Sequence, residues 1–245
     1  MSYRFSETEY LFNSDLCAPM KVVITSATEG EIVSATRDLS KVYIDQNILE
    51  LTFHQSGVGM LSSAVSLTQM IENHKPDLVI QAGIGGCFSE TFNLGEVVTV
   101  KEEHLADMGV EEGMGWMDIF DLNLEYANRP PFEDKKLMNT HLEKLNLLRL
   151  PEVTAITINE ITTRRQRVEQ LAAKYYPVME SMEGASLHYV CRDFGVPFIQ
   201  IRAISNYIGE RDKSKWKLKE AIKNLNDVLA SYIHQLHSNL KNVLQ

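Results

Sequence analysis

The sequence predicts an α/β fold, a single domain with a mixed, largely parallel sheet flanked by helices on both faces. Two observations carry that expectation. Short, nearly continuous apolar runs such as Lys21-Val22-Val23-Ile24-Thr25-Ser26-Ala27 and Leu78-Val79-Ile80-Gln81-Ala82 read as strands buried on both faces. Runs of this kind alternate along the chain with segments of helical period, the order expected of a parallel sheet covered on both sides.

In chain order, residues 1–20 show no sustained period and read as an N-terminal arm, with the domain over 21–245. The first strand runs into Thr28-Glu29-Gly30-Glu31 and a helix. Val42-Tyr43-Ile44 and residues 48–54 flank Asp45-Gln46-Asn47 and predict a hairpin. Ser56-Gly57-Val58-Gly59 opens a helix over 60–73, where Leu61, Ala64, Val65, Leu67 and Met70 recur at helical intervals. The strand at 78–82 empties into Gly83-Ile84-Gly85-Gly86, expected as a loop whose missing side chains let backbone approach a ligand. A strand follows at 96–100, then a polar, acidic stretch over 107–131 that reads as a long loop over the site or at a subunit contact. Helix is expected over 133–147, strand over 153–158 and helix over 163–175. Pro177-Val178-Met179-Glu180-Ser181-Met182 reads as a strand meeting a helix that reaches Phe194. Phe198-Ile199-Gln200-Ile201-Arg202-Ala203-Ile204-Ser205 is the last strand, before one or two closing helices from 217 to 244.

Composition narrows the function. The 245 residues are 44% hydrophobic and 23% charged, enough for one large core. No run approaches the ~18 apolar residues of a membrane span, and the first residues lack a secretory pattern, so no membrane partner and a cytoplasmic location are expected. Cys17, Cys87 and Cys191 lack the spacing of a zinc site or a disulfide framework and are expected to be reduced. A net charge of −9 speaks against nucleic-acid binding, leaving a small molecule or a second copy of the chain as partner.

Parallel topology brings Glu31, the glycine stretch, Met182-Glu183 and Ser205-Asn206 to one sheet edge, where open α/β sheets bind ligands. Glu183, between strand and helix, could accept two vicinal hydroxyls; equally, its charge could simply suit a helix start. The glycine stretches match neither a P-loop nor the dinucleotide fingerprint. No histidine or carboxylate spacing proposes a metal, and His104 and His188 read as structural. Arg164-Arg165-Gln166-Arg167 is either an exposed helix face or a site for an anionic group.

Taken together, Ala27-Thr28-Glu29-Gly30-Glu31, Ser56-Gly57-Val58-Gly59, Ala82-Gly83-Ile84-Gly85-Gly86, Ser181-Met182-Glu183-Gly184-Ala185 and Arg202-Ala203-Ile204-Ser205-Asn206 resemble, in order and spacing, the nucleoside phosphorylase and nucleosidase superfamily. The similarity runs from about Lys21 to the C-terminus and is greatest to two families. These are the methylthioadenosine/S-adenosylhomocysteine nucleosidases and, through Ser205-Asn206 and Gly209-Glu210-Arg211-Asp212 with Trp216, the futalosine hydrolases of menaquinone biosynthesis.

The resemblance implies that Glu183 binds the ribose 2′- and 3′-hydroxyls, that Met182 packs on the sugar and that Glu31 is the base that activates water. It also implies that Asn206 supports the leaving purine, that Ile161 and Thr162 stack on the base, and that Gly83, Ile84 and Gly85 line the substrate site. Neither cofactor nor metal is required, and a homodimer or higher homo-oligomer is expected. Two departures matter. Adenine-specific relatives carry Asp where this chain has Asn206, and Glu where it has Ser181. An amide donates and accepts at once, which suits hypoxanthine.

The leading expectation is therefore hydrolysis of futalosine to hypoxanthine and dehypoxanthine futalosine. One of Arg164, Arg165, Arg167 and Arg211 would meet its benzoate carboxylate. The alternatives are a purine nucleoside phosphorylase, a methylthioadenosine/S-adenosylhomocysteine nucleosidase and a non-catalytic nucleoside sensor. Phosphate would be repelled by Glu31, and retention of both Glu31 and Glu183 argues against a sensor.

Overall fold

The computed structural model describes residues 18–40, 44–113 and 115–243. In order these form β1 (Met20–Ser26), α1 (Glu29–Leu39), β2 (Leu49–Gln55), α2 (Met60–His74), β3 (Leu78–Cys87), β4 (Val97–Leu105), β5 (Gly109–Glu112) and β6 (Gly115–Asp118). Then come β7 (Leu137–Met138), α3 (Leu142–Leu145), β8 (Glu152–Thr157), α4 (Arg165–Tyr175), β9 (Met179–Ser181), α5 (Gly184–Phe194), β10 (Phe198–Tyr207) and α6 (Leu218–Val243). No helix among the described residues is long and apolar enough to cross a membrane.

Along β1, side chains alternate between two cores because successive residues point to opposite faces. Val22 and Ile24 join one cluster with Ile32 of α1 and Leu225, Leu229 and Ile233 of α6, while Val23 joins another with Leu67 and Met70 of α2 and Leu187 and Val190 of α5. Helices thus cover both faces, which is why these strands carry almost no exposed residue and read as continuous apolar runs. The closing segment is one helix, α6, whose buried Ala221, Leu225, Leu229, Tyr232, Leu236 and Leu240 recur every three or four residues.

The sheet is mixed. β1 lies between β2 and β3, parallel to both, and β10 is parallel to the other edge of β3. From β10 the ladder continues antiparallel to β4, then parallel to β8 and β9, and β9 returns antiparallel to the upper end of β3, so β3, β10, β4, β8 and β9 close a ring. Strict strand–helix alternation breaks between β3 and β4, where residues 88–96 are too few for the crossover of about a dozen residues that a parallel return needs.

Four expectations change. The glycines Gly83 to Gly86 form no loop; they extend β3, whose register with β10 runs to Cys87 opposite Tyr207. Their bareness is steric, since a Cβ on Gly85 would lie 2.8 Å from the Glu180 carbonyl oxygen of the neighbouring strand. The stretch 107–131 contains the hairpin β5–β6, followed by a turn pinned by buried Asp118, which accepts the Phe120 and Asp121 N–H groups at 3.0 and 2.9 Å.

Over 133–147 helix survives only as α3. Asp134 and Lys135 adopt left-handed φ of 46° and 67°, and β7 pairs with β4, which buries Leu137 completely. β2 pairs in parallel with β1, not in the expected hairpin, whose first arm lies partly outside the described residues. The N-terminal arm up to residue 17, with Cys17, also lies outside them, whereas Cys87 and Cys191 are buried thiols.

Candidate active site

A cavity of about 400 Å³ opens at the C-terminal ends of β1, β3, β9 and β10. The segment carrying Gly209, Glu210, Arg211 and Trp216 forms its outer wall, tied down where Lys217 N–H donates to the Ser205 carbonyl at 2.9 Å and Trp216 Nε1 donates to the Glu210 carbonyl at 3.0 Å.

Glu31 reaches this cavity from the first turn of α1. A carboxylate three residues after Thr28 closes a capping box: Thr28 N–H and Oγ1 both donate to Glu31 Oε2, at 3.0 and 3.2 Å. Its other oxygen, Oε1, accepts the Ile84 N–H at 3.1 Å. The side chain is only 8% exposed and is fixed from two sides. Gly83 makes room for this arrangement. A Cβ there would stand 3.1 Å from Glu31 Oε1 and would overlap Arg202 Nη1, so carboxylate and guanidinium meet across a bare backbone.

Glu183 is the residue at which β9 turns into α5, preceding its first helical residue. Its Oε1 accepts the Gly59 N–H at 3.1 Å, while Oε2 stands 3.6 Å from Arg202 Nη1. Gly59 holds φ 87° where α2 begins, a left-handed backbone that glycine adopts without strain. Arg202 is buried to 1% exposure and also donates to the Gln81 Oε1 at 2.8 Å and the Ile84 carbonyl at 3.3 Å. A guanidinium so enclosed braces the Glu183 carboxylate from inside the protein.

Asn206 extends from β10. Ser205 Oγ lies within donating distance of both Asn206 Oδ1 (2.8 Å) and the Gly85 carbonyl (3.1 Å), and Asn206 Nδ2 donates to the Tyr207 carbonyl at 3.1 Å. The amide is held in place yet keeps one N–H and one oxygen lone pair for a ligand.

Behind Glu183 lies a second carboxyl, Glu103, fully buried. Thr157 Oγ1 and Gln200 Nε2 donate to it at 2.9 and 3.0 Å, and Thr157 in turn accepts the Ala185 N–H of α5 at 2.7 Å. Burial pushes its pKa up to about 7, against the lowering effect of those two hydrogen bonds. Because the folded value lies above the ordinary 4.5, this stabilisation is complete below that pH and is lost as pH rises through about 7. The loss is about 3 kcal/mol. Glu103→Gln, which imitates the protonated group, is expected to flatten the decline in stability between about pH 5 and 8 in urea titrations; a curve parallel to wild type would contradict this.

The structure brings together Glu31, Ile84, Gly85, Ile161, Thr162, Met182, Glu183 and Asn206 on one cavity wall or another. Gly83 lies beneath, packed on Arg202 and Glu31. Of the four candidate arginines, Arg211 borders this cavity, its guanidinium 5.8 Å from the Trp216 ring. Arg164 and Arg167 border a neighbouring cavity of about 160 Å³, with Arg167 stacked 3.8 Å over Trp116, and Arg165 pairs with Glu169 on the exposed face of α4. His104 and His188 are buried beside Tyr175 and Phe198, and neither borders the cavity. Sequence reasoning left Arg202, Glu103 and Glu180 without roles. Each is a charged residue inside or at the end of an apolar strand, a signal that a buried polar partner must exist.

Residues 23–234 match the family model described as "Phosphorylase superfamily". Over 240 residues the chain is 30% identical to the 5′-methylthioadenosine/S-adenosylhomocysteine nucleosidase of Bacillus velezensis, covering 89% of this chain and 100% of that one. It is likewise 30% identical over 171 residues to the futalosine hydrolase of Thermus thermophilus, covering 69% and 74%. The fold superposes on a futalosine hydrolase mutant of Helicobacter pylori with a TM-score of 0.71 at 18% identity, covering 90% of this chain and 100% of that one.

Proposed function

Because this chain belongs to the phosphorylase superfamily, we propose that it is a nucleosidase that hydrolyses the N-glycosidic bond of futalosine, releasing hypoxanthine and dehypoxanthine futalosine in menaquinone biosynthesis. Asn206 carries the choice of base. Its free N–H donates to O6 of the departing hypoxanthine, and its free lone pair accepts N7–H once the ring has taken a proton from solvent. Glu183 accepts the ribose hydroxyls and stabilises the oxocarbenium-like sugar electrostatically. Glu31 takes a proton from the attacking water, the water oxygen bonds to C1′, and the glycosidic electron pair leaves with the purine. Arg202 braces the Glu183 carboxylate. Arg211, which borders the cavity, would meet the benzoate carboxylate.

Hydrolysis is favoured over phosphorolysis by Glu31, Glu180 and Glu183 in the cavity wall, which would repel phosphate. An undiminished rate in phosphate-free buffer is the expected result. A second reading, action on methylthioadenosine and S-adenosylhomocysteine, is favoured by the full-length match to the Bacillus velezensis enzyme.

Asn206→Asp discriminates between the two. A carboxyl donates to N7 and accepts from N6–H, so preference is expected to move from 6-oxo to 6-amino purines. Loss of a matched buried hydrogen bond costs about 1–3 kcal/mol, or roughly one to two decades of kcat/KM for hypoxanthine nucleosides. The kcat/KM ratio for two nucleosides differing only at C6 checks this; an unchanged ratio would remove Asn206 from base recognition.

A further inference from the structure

We infer that Glu180 reads position 1 of the purine, its carboxylate accepting the N1–H that a 6-oxopurine carries and a 6-aminopurine lacks. The inference rests on the nucleosidase reading above and names the second determinant of its base preference.

Placement is the first ground. In the register of the ring, Gly86 of β3 is opposite Glu180 of β9 on one side and Asn206 of β10 on the other. Side chains at paired positions of adjacent strands share a face, and two strand spacings of about 4.8 Å put the two backbones roughly 10 Å apart. Between them Gly86 is bare; a Cβ there would overlap Ile208 and stand 3.3 Å from Asn206 Nδ2. The Ile208 side chain fills that place and also lines the cavity, so Glu180 and Asn206 flank an apolar floor and both border the cavity. Along the purine edge the groups run N7, O6, N1. With Asn206 engaged at N7 and O6, the group left for the opposite side is N1.

The second ground is a buried valence with nothing to fill it. Glu180 is 5% exposed; Oε1 accepts the Thr162 N–H at 3.2 Å, while Oε2 has no hydrogen-bond partner. A carboxylate oxygen buried without a partner is costly, and a turn of the Glu180 carboxyl into the cavity, where a ligand N–H meets it, relieves the cost. The same geometry disfavours adenine, whose N1 is an acceptor facing another acceptor, and the Thr162 N–H on this wall is already engaged by Glu180.

Protonation would reverse the pattern, because a carboxyl OH donates to a bare N1. Burial raises the proton affinity of Glu180 and nearby Asp107 adds to it, whereas the Thr162 side chain and N–H, and Arg167, act the other way. Across the cavity stand Glu31, Glu183 and the neutral Asn206, which a base-paired comparison of ligands holds constant.

The test measures kcat/KM for two nucleosides identical except for 6-oxo and 6-amino groups, on wild type, Glu180→Gln and Glu180→Val. Glu180→Gln, able to turn an NH₂ toward a bare N1, is expected to reduce the 6-oxo preference roughly tenfold to a hundredfold, and Glu180→Val to reduce it by loss of the acceptor. A role limited to holding Thr162 predicts equal losses on both substrates, and an unchanged ratio in a folded variant overturns the assignment. As a check that needs no variant, the ratio of inhibition constants of adenine and hypoxanthine on wild type should fall as pH is lowered; a flat ratio also overturns it. Wild type that turns over only 6-amino nucleosides would instead overturn the futalosine reading, a result visible before any Glu180 variant is made.

Discussion

Glu31→Gln is expected to lower kcat by roughly 10²–10⁴-fold, the range contributed by a positioned general base, while hypoxanthine still binds. The amide keeps the length and branching of the side chain and cannot take up the proton of water. The local geometry adds a second consequence. Both oxygens of Glu31 accept backbone N–H groups, Thr28 on Oε2 and Ile84 on Oε1, so an amide must set its NH₂ against one of those donors. A stability loss of about 1–3 kcal/mol should accompany the loss of rate. Single-turnover kinetics, hypoxanthine affinity and a denaturant titration on the same preparation separate the effects. A near-normal kcat would mean that water is activated elsewhere.

The second large effect is expected from Glu183→Gln, which should lose both rate and ribose affinity. In wild type, Oε1 takes the Gly59 N–H and Oε2 faces Arg202, leaving lone pairs for two sugar hydroxyls. In the variant an NH₂ confronts either the Gly59 N–H or the guanidinium, and Arg202 remains buried beside a neutral group. Breaking a buried charge pair by removing one partner costs about 3–5 kcal/mol. Part of that will appear as lower stability and part as lost stabilisation of the cationic sugar, so kcat/KM should drop by roughly two to three decades. Unchanged KM and kcat would remove Glu183 from the centre of the site.

Strands buried on both faces declared themselves in the sequence because burial leaves no room for polar alternation; β1, β3, β8 and β10 were visible for that reason. So were α2 and α5, although of the apolar residues that marked α2 Leu67 and Met70 are buried while Leu61 and Val65 are exposed. Gly83 to Gly86 were not visible as strand, since glycine leaves no side-chain pattern and its reason for being there, the closeness of β9 and of Arg202, is a tertiary fact. The stretch over 133–147 has helical spacing, but pairing of Leu137 with β4 and the left-handed Asp134 and Lys135 override it. In the site, Glu31, Glu183 and Asn206 could be placed because each ends a strand or begins a helix at one sheet edge. Arg202, Glu103 and Glu180 could be seen only as charges in apolar surroundings, because a strand sequence does not say which neighbour will answer them.

The most direct test of the account presents futalosine, inosine and methylthioadenosine separately to the purified protein in phosphate-free buffer and measures kcat/KM from release of the free base. The account predicts hypoxanthine release from futalosine as the dominant activity, with inosine slower for want of the carboxylate proposed to meet Arg211, and little adenine from methylthioadenosine. Efficient adenine release with futalosine untouched would contradict it.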